Sequence, residues 1–112
     1  MAIKRKEKRR LLQTAALLMR ANEKVFMGFG QNTEEVMIDA LSQSQETALL
    51  LGTELENTGK ADLVPLLETY CEDLYIMSQN LHSKKQMAKL YKKIKKELKL
   101  LYDHIENEIE TD

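Results

Sequence analysis

Residues 87–109 read MAKLYKKIKKELKLLYDHIENEI. Met87, Tyr91, Ile94, Leu98, Leu101 and Ile105 recur at alternating intervals of four and three, and Ile109 extends the series. That period places the apolar side chains on one stripe of a long helix. Nearly every residue off the stripe in its first half is lysine. Such a helix cannot bury its seam alone, so the rest of the chain is expected to cover it.

Three further helices can be traced on the N-terminal side. The first is expected from about Lys4 to Met27. Leu11, Ala15, Leu18, Asn22, Val25 and Phe29 form its main row, widened by Leu12, Ala16, Met19 and Phe26. A face two rows wide suits a bundle core better than a two-stranded seam. The basic run Lys4–Arg10 precedes it, and cations at a helix N-terminus oppose the macrodipole, so this run is expected to fray. Gly28 to Asn32 form the first break, with glycine supplying a left-handed C-cap.

Asn32 or Thr33 then caps a second helix, with Glu34 and Glu35 in its first turn. Ile38, Leu41, Gln45, Ala48, Gly52 and Leu55 are its expected core row, flanked by Met37, Ser44 and Leu51. A second break follows at Asn57–Lys60. Asp62 is the expected cap of the third helix, and Pro65 sits in its first turn, where the missing N–H does no harm. Leu63, Leu67, Tyr70, Leu74, Met77 and Leu81 line that helix, with Leu66, Cys71 and Ile76 beside them.

The junction before residue 87 decides the architecture. Leu81–Gln86 contains neither glycine nor proline, but Ser83 and Gln86 form a capping-box pair, and the apolar seam slips at Lys84. The expected fold is all-α: an antiparallel up-down-up-down four-helix bundle. The alternative is a three-helix bundle in which helices 3 and 4 fuse into one long helix that dimerises.

At 112 residues, with 43% hydrophobic and 31% charged side chains, the chain is expected to be one globular helical domain, residues 1–112. The lone Cys71 excludes an intrachain disulfide, so the fold does not require an oxidising compartment. The five-residue apolar run Ala15–Met19 is far short of a membrane span. A signal peptide is not expected in residues 1–20, whose apolar part is interrupted by Gln13 and Thr14. A cytoplasmic protein follows.

The net charge of −1 hides strong segregation. Residues 1–20 carry seven basic and one acidic side chain, residues 21–83 two basic and eleven acidic, and residues 84–100 eight lysines and one glutamate. In an up-down-up-down bundle both basic blocks meet acidic blocks of the same molecule. The lysines lack interleaved aromatic residues and the sequence pI is near 6.1, which argues against a nucleic-acid partner.

Chemistry-bearing candidates are few. Glu34, Glu35 and Asp39 resemble the acidic helical pairs that hold magnesium in small all-α pyrophosphohydrolases, and Glu68, Glu72 and Asp73 offer a second acidic motif. The simpler reading is first-turn acids favoured by the helix dipole. His104 and Glu108 make half a metal site, but Leu101 stands where a further glutamate would be needed. Cys71 is expected as a small core residue. Tyr70, Tyr75, Tyr91 and Tyr102 are expected to frame the core with hydroxyls at its rim, and Met19, Met27, Met37, Met77 and Met87 to fill it.

The expected function is therefore a non-enzymatic protein–protein interaction module: a small adaptor, accessory subunit or helical chaperone, without a cofactor. Its partner would be another protein or a second copy in a homodimer, and not a membrane. Two alternatives belong to other classes. One is a metal-dependent hydrolase using Glu34, Glu35 and Asp39; the other is a nucleic-acid-binding protein using Lys4–Arg10.

Overall fold

In the computed structural model, which describes residues 2–111, the stripe of residues 87–105 becomes one face of α4, Lys84–Glu106. Before it come α1, Arg5–Gly30; α2, Glu34–Asn57; and α3, Val64–Ser78. The four pack together as an all-α bundle. α1 lies against α2 and α4, and α3 packs on the same two helices from the other side. Two short strands were not foreseen: β1, Ile3–Lys4, pairs in parallel with β2, Glu110–Thr111.

One continuous core runs through all four helices and includes Leu11, Leu18, Leu55, Tyr70, Ile94 and Leu101. The expected rows of α1 and α3 are buried nearly as read. On α4 the buried residue is Leu90, while Tyr91 stands at the edge with its ring edge-on to Phe26, centroids 4.8 Å apart. Ile109 is not part of the stripe. α4 stops at Glu106, and the chain turns so that the Ile109 carbonyl accepts the Ile3 N–H at 2.9 Å.

α2 departs most from its expected row. Its buried residues are Met37, Ala40, Ser44, Ala48, Leu51 and Leu55, whereas Ile38 is half exposed and Gln45 is exposed. Ala48 and Leu55 belong to both rows, and the expected flanking residues Met37, Ser44 and Leu51 are buried. The core face is thus turned towards that flank by less than the roughly 100° between neighbouring residues. Apolar residues occupy most of the circumference of α2, so periodicity alone does not choose the face. Contact with α1 chooses it. A Cβ added at Gly28 would lie 2.9 Å from Met37 Cγ and 3.0 Å from Met37 N, so only glycine admits Met37 there.

The turns show how the helices stop. α1 continues through Gly30, and it is Asn32 that takes the left-handed conformation, with φ 56°. Thr33 N–H donates to the Gly28 carbonyl at 2.8 Å and Asn32 N–H to the Phe29 carbonyl at 3.0 Å. That is a Schellman closure, with asparagine in the usual glycine position. α2 ends the same way around Gly59, φ 75°, where Lys60 N–H donates to the Leu55 carbonyl at 2.7 Å. Asp62 caps nothing. It lies in a 3-10 turn, Ala61–Leu63, that leads into α3.

The junction at residue 83 is a real turn. α3 ends at Ser78 and α4 begins at Lys84, with Ser83 Oγ accepting the Gln86 N–H at 3.3 Å. The fused-helix alternative is therefore set aside. Ser83→Ala is expected to lower stability by about 1 kcal/mol, read as a shift in the urea midpoint. An unchanged midpoint would show that the cap contributes nothing.

The basic N-terminal run, expected to fray, is helical from Arg5 and tied down. Arg5 Nε lies 3.3 Å from Glu110, and Lys8 Nζ lies 3.5 Å from Glu110 and 3.0 Å from the Glu108 carbonyl oxygen. Ile3 is buried against the core. Acids from the far end of the chain thus offset the unfavourable placement of cations at a helix start. The opposite end repeats the pattern with His82 and Glu34 at 3.5 Å, and Lys93 on α4 reaches Asp73 on α3 at 3.1 Å.

Lys60 is the least expected of these residues. It is only 4% exposed, yet its Nζ sits 2.8 Å from Glu108 and 3.4 Å from Asp62. The hydrogen bond that Lys60 donates to Glu108 dominates and raises its pKa above the ordinary lysine value, against the opposing effect of burial. A surface turn residue in the sequence is therefore a buried tie between the α2–α3 turn and the segment after α4.

Candidate functional site

A broad, open concavity lies where α2 and α3 meet. It encloses about 560 Å³. Ala48, Leu67 and Leu74, all buried, form its floor, and Leu49 and Tyr75 stand at its edge, 75% and 66% exposed. Gly52 keeps the α2 side low: a Cβ added there would meet only Leu67 Cδ2, at 3.4 Å. The glycine opens the groove and relieves no clash. Glu56 and Glu68 flank the apolar surface.

The groove exists because α2 carries more apolar surface than the core absorbs. With Leu51 and Leu55 turned inward, Leu49, Leu50, Ile38 and Val36 remain outside. α3 leaves Tyr75 and Ile76 outside in the same way. Of these, Leu49 and Tyr75 border the groove and stand over buried Ala48, Leu67 and Leu74; the others are separate exposed apolar residues of the kind ordinary on a protein surface.

Cys71 lies on this wall and is exposed, correcting its expected place in the core. Partial desolvation, with a smaller contribution from the Glu68 charge, pushes its thiol pKa up. The thiol therefore stays protonated at neutral pH and is a weak nucleophile. The tyrosines are corrected as well. Tyr70 is wholly buried with its hydroxyl inside the core, Tyr75 is exposed, and only Tyr91 and Tyr102 stand at the rim. Of the methionines, Met37, Met77 and Met87 are buried, whereas Met27 is 58% exposed.

The acidic candidates do not converge. Glu34, Glu35 and Asp39 are exposed on the first turns of α2, with Glu34 turned to His82. Glu68 and Glu72 are exposed on α3, while Asp73 points inward to Lys93. Glu108 is taken up by Lys60, and His104 is exposed. Among the described residues, no group of three or more histidine, cysteine or acidic side chains is arranged to hold a metal ion.

Two buried polar clusters escaped sequence reasoning. In the first, Asn22 Nδ2 donates to the Leu18 carbonyl at 3.0 Å and to the Tyr70 hydroxyl at 2.5 Å. Ser44, beside Tyr70, donates to the Ala40 carbonyl at 2.8 Å. Burial, the largest influence, holds the Tyr70 phenol well above its ordinary pKa, so it remains neutral. In the second, Glu97 on α4 meets Asp73 on α3. Burial, then the hydrogen bond and charge of Asp73, pushes Glu97 up to about 8 from 4.5, against Lys93. The sequence signal for both was a polar residue on or beside an apolar row. That signal cannot name a partner on another helix.

Comparison with protein-family models, with curated proteins and with solved structures finds no match to this chain.

Proposed function

We propose that this chain is a non-enzymatic, cytoplasmic protein–protein interaction module that receives a partner protein in the α2–α3 groove. The observation that carries the reading is the groove itself: an apolar floor, walls formed by exposed Leu49 and Tyr75, and flanking carboxylates. The turn-by-turn contacts support an up-down-up-down order, because Lys60 meets Glu108 at one end and Glu34 meets His82 at the other. Such an order leaves α2 and α3 as neighbours, with the groove between them. A cytoplasmic setting is supported by a fold held without disulfides. Among the described residues, no helix is long and apolar enough to cross a membrane.

The test is a comparison of the native chain with a Leu49→Glu/Tyr75→Ser variant. Both positions are largely exposed, so the variant is expected to keep the native circular dichroism and melting temperature. A protein partner retained from the source extract by the native chain, at lower salt and at physiological salt, is expected to be lost by the variant. Equal retention by both would refute the groove as the docking surface.

A further inference from the structure

We infer that the occupant of the α2–α3 groove is an amphipathic helix of a partner protein, with lysine or arginine flanking its apolar face. This rests on the docking reading above and adds the chemistry of the partner. α2 and α3 together carry nine carboxylates and no lysine or arginine. Glu56 and Glu68 flank the groove directly, whereas Glu46 faces Arg20 and Lys24 of α1 and Asp73 is paired with Lys93 of α4. The basic side chains of the bundle belong almost entirely to α1 and α4. A guest entering the groove thus meets apolar surface bounded by one sign of charge. Such a field favours an oppositely charged guest and speeds its encounter.

The dimensions suit a helix. The lining residues of α2 run from Gln45 to Glu56, three turns or about 17 Å. That length matches a guest helix of about 12 residues with apolar anchors spaced as i, i+4 and i+7. Ala48 and Gly52 are one turn apart on the α2 side, and their small size leaves depth for a bulky anchor.

A second copy of this chain fits less well. Two-fold pairing places a patch against itself, so carboxylates would face carboxylates with no basic residue between them. Head-to-tail pairing would have to present α1 or α4, whose apolar rows are already buried in the core. What those basic helices still show is a few separate apolar residues, Leu17, Met27 and Leu100.

Cys71, the chain's single cysteine, stands in the groove wall and reports on occupancy. The experiment follows its modification by N-ethylmaleimide in the presence of two 12-residue helical peptides. The peptides share one leucine face; one has lysine flanks and the other glutamate flanks. At ten times its Kd, the lysine peptide is expected to slow Cys71 modification about tenfold, and added salt should weaken the protection. The glutamate peptide should leave the rate unchanged.

A Glu56→Lys/Glu68→Lys variant, altered only at exposed positions, should reverse the preference. Equal protection by both peptides would overturn the charge selection and leave groove docking standing. Protection of the variant by the lysine peptide would do the same. Absence of protection by either peptide would overturn both readings. A concentration-dependent doubling of the 13.0 kDa mass in light scattering, abolished by Leu49→Glu, would assign the groove to a second copy and overturn the inference.

Discussion

Tyr70→Ala is expected to cost the bundle about 4 kcal/mol, and Tyr70→Phe only about 1 kcal/mol. Tyr70 is 0% exposed, and its ring is packed within the continuous core. Alanine removes the packing and leaves a cavity. Phenylalanine keeps the packing and removes only the hydroxyl that accepts from Asn22 of α1. The penalty for the lost hydroxyl is modest, because Asn22 Nδ2 still donates to Leu18 and Ser44 still donates to Ala40. Against a total stability of about 5–15 kcal/mol, the alanine variant should sit close to its folding limit. Urea denaturation followed by circular dichroism measures both. If phenylalanine is as damaging as alanine, the polar contacts and not the packing hold this part of the core.

Glu97→Gln is expected to stabilise the protein, and by more as pH rises. Unfolded, Glu97 titrates near 4.5; folded, it is pushed up to about 8. The folded state therefore holds a proton that the unfolded state has already released. Stability linked to this group is complete below about pH 4.5 and is lost as pH climbs towards 8. The protonated acid can donate to Asp73, whose Oδ2 is buried and lacks another partner among the described residues. A glutamine amide makes the same donation at every pH. Lys93, already bonded to Asp73 Oδ1, remains in place.

Because Glu97 is only partly buried, solvent screening reduces the gain to about 1–2 kcal/mol, or roughly 5 °C in Tm, at pH 8. Near pH 4.5 the two proteins should melt together. Parallel melting curves across this range would show that Glu97 is not protonated in the native state.

The fold was legible where residue types left no choice of face. Met87, Ile94 and Leu101 on α4 are separated by lysines that solvate readily, so their period identifies the core directly. On α1 the row Leu11, Leu18 and Val25 is continued by Ala15 and Asn22 at the same helical spacing. The Ser83–Gln86 pair was legible too, because a cap is chemistry between residues three apart. α2 was not. Its stretch Ala48–Gly52 is apolar or small throughout, and two rows that share Ala48 and Leu55 are separated by less than one residue of rotation. The groove hid behind that ambiguity. Leu49 and Gly52 gain meaning only once Met37 settles over Gly28 and turns the helix. Cys71 was misplaced for the same reason on α3, where it borders the apolar row without joining it.

The tie between chain ends shows the same division. Charge blocks in the sequence indicated that basic and acidic segments should meet, and they do at Arg5, Lys8 and Glu110. Lys60 gave no such signal. Its burial depends on the α2–α3 turn and the segment after α4 converging, which places Glu108 within 2.8 Å of it. The sequence by itself determined four helices, their ends to within a few residues and the turn before α4, since these depend on neighbours three or four positions apart. Tertiary structure alone decided which side of α2 is core, which carboxyl keeps a proton and where apolar surface is left open. Each of those depends on contacts between residues far apart in the chain, and on the free energy of removing particular groups from water.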